Sequence, residues 1–176
     1  YEEVLDIDIT NSIQKGIIDR TDRLLALGDI DYEKNRDTFI VSKRNSLGNL
    51  LWTKKEVDSI QKIVNDFDGS STKILKKNRA TETAFKNQNL NKVTILHFAT
   101  HGIPIYDDYT KSALMLSPDR KNDGMLTFNE ILELDLNNVE LTFLSACQMN
   151  IARPIDNISY PSLQQALAYA GSKNVI

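Results

Sequence analysis

Two short apolar runs constrain this chain more than anything else in it. Ile95-Leu96-His97-Phe98-Ala99 leads into Thr100-His101-Gly102, and Leu141-Thr142-Phe143-Leu144 leads into Ser145-Ala146-Cys147-Gln148. Apolar runs of this length read as strands buried on both faces, the habit of a parallel sheet covered by helices. In an open parallel sheet the carboxyl ends of neighbouring strands lie side by side, so His101 and Cys147 are expected at one edge. Thiol chemistry needs that arrangement. A thiol with a pKa near ~8.5 is only a few per cent thiolate at neutral pH, and a nearby imidazole can take its proton or pair with the anion.

Taken alone, Cys147 reads as a small buried filler, the commonest fate of a free cysteine. The matching strand-end placement of His101-Gly102 is what argues for chemistry. His97 lies inside its apolar run and reads as a packed, hydrogen-bonded residue rather than a second base.

The remaining segments fit the same architecture. Arg23-Leu24-Leu25-Ala26-Leu27-Gly28-Asp29 reads as a first central strand. Thr53 and Glu56 form a capping-box pattern ahead of Val57, Ile60, Val64 and Phe67, the apolar face of a crossover helix ended by Asp68-Gly69. Thr72–Leu75 supplies a short strand, and Thr81 is an N-cap for a helix through about Asn87. Ser112–Leu116 is a brief apolar patch, Asp123-Gly124 a turn signal, and Thr127 with Glu130 a second capping box. A long irregular loop from Met149 to Tyr160 precedes a helix opened by Pro161. Strands alternating with helices at this spacing predict an α/β fold, a mostly parallel sheet with helices on both faces in three layers.

At 176 residues, 41% hydrophobic and 26% charged, the chain has room for one domain with a real core. Residues 1–21 read as a lead-in segment or linker from an upstream domain, and 22–176 as the domain itself. A net charge of -3 offers no basic surplus for displacing phosphate counterions, which argues against direct nucleic acid binding. No apolar stretch is long enough to span a bilayer, so no membrane partner is expected. One cysteine cannot form an internal disulfide, which fits a reducing cytoplasm, and neither a second Cys nor clustered His supports a metal. The opening at Tyr1 and the close at Asn174-Val175-Ile176 read as a portion of a longer polypeptide, lacking its carboxyl-terminal part.

The order and wording of these segments resemble the CHAT domain, a branch of the caspase and separase group of cysteine peptidases. Leu96–Gly102 is similar to that family's first signature and Leu144–Gln148 to its second. Leu25–Tyr32, Thr53–Val57, Ala80–Glu82, Ser112–Leu114, Leu126–Ile131 and Leu163–Val175 also fit, in register. The resemblance implies a caspase-like sheet, with His101 as general base, Cys147 as nucleophile, and the backbone N–H groups of Gly102 and Cys147 as oxyanion-hole donors. It implies no cofactor. It further implies a protein or peptide substrate, and gating by sensor or repeat domains in the same polypeptide or by a partner complex, in bacterial defence, antiviral defence included, or cell death.

The chain also departs from the family. Met149-Asn150-Ile151-Ala152-Arg153-Pro154 follows where relatives usually carry Gln or Glu, Thr and Gly-containing residues. Ser145 stands two before the nucleophile, where relatives carry Asp or Gln, so no charge there announces the residue cut. Asp107 and Asp108 are the acidic residues available to a pocket for Lys or Arg, although acidic residues in a polar loop are usually just solvated. A catalytically silent CHAT-like binding or scaffolding module is the alternative reading. A glutaminase or hydrolase with a cysteine elbow fits poorly, because Ala146 and Gln148 flank the thiol where such a turn needs glycine, and the base precedes the nucleophile.

Overall fold

The computed structural model describes residues 23–32, 50–66, 70–105, 107–146 and 161–176. Cys147, the expected loop over 149–160, the lead-in segment 1–21 and the helix end at Phe67–Gly69 lie outside the described residues.

Four parallel strands form the main sheet: β1 (Arg23–Ile30), β2 (Ser71–Lys77), β3 (Ile95–Ala99) and β7 (Leu141–Ser145), in the order β2-β1-β3-β7. Alternate side chains along each strand enter different cores. Leu24 and Ala26 of β1, Ile95 and Ala99 of β3 and Leu141 and Phe143 of β7 pack beneath helix α1 (Thr53–Asn65) through Val57, Ile60 and Val64. Leu25, Leu27, Leu96 and Phe98 face the opposite layer. That layer holds helices α2 (Glu82–Lys86), α3 (Phe128–Leu132) and α4 (Leu163–Tyr169), with Phe85, Ile131, Leu163 and Leu167 buried in it. Burial on both faces is why the strands read as continuous apolar runs, and it gives the expected three-layer α/β architecture.

Glycine at position 28 is a packing requirement. A Cβ there would lie 2.7 Å from Val57 Cγ1 and 3.1 Å from the Thr53 carbonyl oxygen, so α1 sits directly on the strand end. Asp29 follows in the left-handed region (φ 50°), where the β1–β2 register shifts. Its N–H donates to Thr53 Oγ1 at 3.0 Å.

That contact corrects the first expected capping box. Trp52, not Thr53, occupies the cap position, with no side-chain cap bond. Thr53 is the first helical residue, and its hydroxyl accepts from Asp29 and donates to the Leu50 carbonyl at 2.9 Å. Glu56 is taken by His97. Both side chains of the pattern have found tertiary partners instead of each other. The Thr127–Glu130 box and the Thr81 cap form as the sequence indicates. At α4 the cap is Ser162, with Gln165 completing a box, and Pro161 stands just before it. A proline side chain has no acceptor to offer the free helix N–H groups, whereas the serine hydroxyl does.

A second sheet has no counterpart in the sequence reading. Strands β4 (Gly102–Ile103), β5 (Ala113–Met115) and β6 (Met125–Thr127) pair antiparallel in the order β4-β5-β6. The Asp123-Gly124 turn delivers β6, with Gly124 at φ +78°. Because β4 follows β3 almost at once, this small sheet abuts the carboxyl edge of the large one.

Candidate active site at the carboxyl edge of the sheet

The last rung of the β3–β7 ladder pairs Ala99 with Ser145. One step further the Thr100 N–H donates to the Ser145 carbonyl at 3.3 Å, so the strands stay joined up to the point where β3 delivers His101. Ser145 is half-buried at the tip of β7.

His101 is half-buried, and its backbone is held on both sides. Its carbonyl accepts from the Met115 N–H of β5 at 2.8 Å. Its N–H donates to Tyr32 Oη at 3.3 Å. The imidazole and the Tyr32 ring lie 5.0 Å apart between centroids, tilted by 52°. Tyr32 also contacts Thr100 Oγ1 at 3.0 Å, and Thr100 in turn donates to the Met115 carbonyl. Burial pushes the Tyr32 phenol up from its ordinary pKa, and the hydrogen bonds with Thr100 and His101 reverse only part of that shift.

Gly102 faces Leu114 across the β4–β5 pair. Since the His101 carbonyl is bonded to Met115 N–H, this is a non-hydrogen-bonded pair, and the Gly102 N–H points away from β5. A donor on this edge is thus left over from sheet pairing.

The two loop acids have different surroundings. Asp107 is exposed. Asp108 caps the 3-10 turn Tyr109–Lys111, accepting from the Thr110 N–H at 3.3 Å and hydroxyl and pairing with Lys111 Nζ at 2.9 Å. The Thr110 hydroxyl and then Lys111 hold its carboxyl below the usual carboxylate range.

His97, four residues before His101, is fully buried and bonded through Nε2 to Glu56 Oε1 at 3.0 Å. Its Nδ1 has no hydrogen-bond partner among the described residues. It is a packed residue beneath α1, as its place in the apolar run indicates. The sequence reading missed Tyr32 and Glu56 as partners of the two histidines. Each is brought to its histidine by β1 or α1, from more than 40 positions away, and no local pattern marks such a contact.

Among the described residues no group of three or more His, Cys, Asp or Glu side chains could hold a metal ion. None of their helices is long and apolar enough to cross a membrane. No curated protein matches the chain significantly. The family model of the CHAT domain, a caspase-like peptidase family, matches residues 8–176. With the parallel sheet and the strand-end histidine in place, a match over nearly the whole length settles the kinship: the chain belongs to the CHAT domain family.

Proposed function

We propose that this chain is a cysteine endopeptidase domain in which His101 is the general base and Cys147 the nucleophile. The observation that carries the reading is the β3–β7 register. Ala99 and Ser145 share the last rung, and His101 and Cys147 are each the second residue beyond it in sequence. Adjacent parallel strands that end together deliver their next residues to one edge.

In the proposed reaction His101 accepts the thiol proton and the thiolate attacks the scissile carbonyl carbon. The carbonyl electrons move onto oxygen, where the N–H groups of Gly102 and Cys147 are the proposed donors. Fixed donors in a partly dry site are worth far more to that oxyanion than water is. Collapse expels the amine, which takes its proton from the imidazolium and leaves a thioester. Water then attacks the thioester, with His101 again as base.

Ser145, Asp107 and Asp108 are proposed as pocket residues. Asp107 is the more available of the two acids, since Asp108 is engaged by Thr110 and Lys111. The substrate is a protein or peptide. Attached regulatory domains or a partner complex gate the site, in a cytoplasmic bacterial defence or cell-death system.

Cleavage of a protein substrate by the activated full-length protein, compared with Cys147→Ala and His101→Ala, tests the reading. Loss of cleavage in both supports it. Unchanged turnover in both sinks it in favour of a binding or scaffolding module, the reading that the unusual Met149–Pro154 segment favours.

A further inference from the structure

The hydrogen bonds around His101 have a polarity that the donors fix. Thr100 has one hydroxyl proton, and it goes to the Met115 carbonyl, which can only accept. Thr100 Oγ1 is therefore the acceptor in its 3.0 Å contact with Tyr32, and the phenol is the donor. The phenolic oxygen in turn accepts from the His101 N–H. One directed relay results, from His101 N–H through Tyr32 and Thr100 to the Met115 carbonyl. Met115 closes the circuit by donating its own N–H to the His101 carbonyl.

From this circuit we infer that Tyr32 is a positioning residue for the His101 imidazole, through its hydroxyl on the backbone and its ring beside the side chain. The inference rests on the proposed role of His101 as base and adds a residue from the segment after a third strand to the site. Tyr32 is the second residue beyond β1, so the relay ties the segment leaving β1 to the tips of β3 and β5. It is 6% exposed, which keeps water from competing for its oxygen. Orientation matters here because proton transfer requires heavy atoms within hydrogen-bond reach, and an ångström of misplacement costs roughly 100-fold in rate.

The test is the rate of Cys147 alkylation by iodoacetamide as a function of pH, on this 176-residue chain, whose single cysteine gives one labelled sulfur. The parent should react at pH values well below the ordinary thiol range, because an imidazolium stabilises the thiolate. His101→Ala should abolish that reactivity. Tyr32→Phe keeps the ring and is expected to slow labelling near pH 6 by roughly 10- to 100-fold while folding is retained.

A Tyr32→Phe labelling profile that superimposes on the parent's overturns the inference while leaving the dyad standing, provided His101→Ala has its effect. If His101→Ala changes nothing, the dyad is wrong and the inference goes with it. Should Tyr32→Phe fail to fold, Thr100→Val breaks the relay one link away and Thr100→Ser restores it. Equal labelling by those two variants also overturns the inference.

Discussion

Glu56 Oε1 and His97 Nε2 meet 3.0 Å apart in the core between α1 and the sheet, with side chains 8% and 0% exposed. The contact fixes the helix over β3 at a depth where neither group can fall back on water. Glu56→Ala leaves the imidazole buried without its partner and should destabilise the fold by about 3 kcal/mol. Glu56→Gln, which keeps a hydrogen-bonding oxygen, should cost less. Urea unfolding of the two variants gives the comparison, and equal stability of Glu56→Ala and the parent would show the pair to be dispensable.

Gly28→Ala should destabilise by about 1–3 kcal/mol, since the new methyl meets Val57 Cγ1 and the Thr53 carbonyl at 2.7 and 3.1 Å. Combining it with Val57→Ala makes room, so the double variant should be more stable than the sum of the single losses predicts. Additive losses would mean that α1 shifts rather than clashes.

Thr53→Val keeps the shape and removes the hydroxyl that joins Asp29 N–H to the Leu50 carbonyl. A loss of about 1 kcal/mol is expected by thermal or urea denaturation, with Thr53→Ser close to the parent.

Acid should reveal the Lys86 network, in which that ammonium lies 2.7 Å from Glu82 and 2.8 Å from Glu130. Burial pushes the Glu130 carboxyl up, but Lys86 and the Thr127 hydroxyl and N–H more than offset it and hold the group at about 2. A depressed carboxyl stabilises the fold fully above its ordinary value of 4.5 and loses that contribution as the pH falls toward 2. Glu82 runs the other way, because burial raises its pKa and favours the protonated form in the fold. Glu130→Gln should therefore flatten the fall in stability between about pH 4.5 and 2. Chemical denaturation across that window would show a parent-like slope if the Glu130 carboxylate is not responsible.

How far the residues alone reveal this fold depends on the range of the interaction. The β1, β3 and β7 runs are legible because burial on both faces leaves an unbroken apolar string. Thr127 with Glu130 is legible because the box closes within a single turn. Thr53 with Glu56 has the same spelling and a different outcome, since Asp29 and His97 compete for those side chains across the fold. The second sheet is illegible for another reason: strands of two or three residues are too short to display a period. For the site, His101 follows from where an apolar run stops, but Tyr32 depends on β1 lying beside β3, which only the assembled sheet provides.

The β7 ladder has a further implication for its tip. Besides pairing with β3, β7 is bonded on its other flank by the chain's last residues: Thr142 N–H donates to Asn174, Leu144 N–H to Ile176, and Ile176 N–H back to Thr142. A strand clasped from both sides cannot slide by one position without unzipping two ladders and exchanging every inward side chain for an outward one. Deleting a single residue within Leu141–Ser145 would thus send the side chains between the cut and Ala146 to the opposite faces of the sheet.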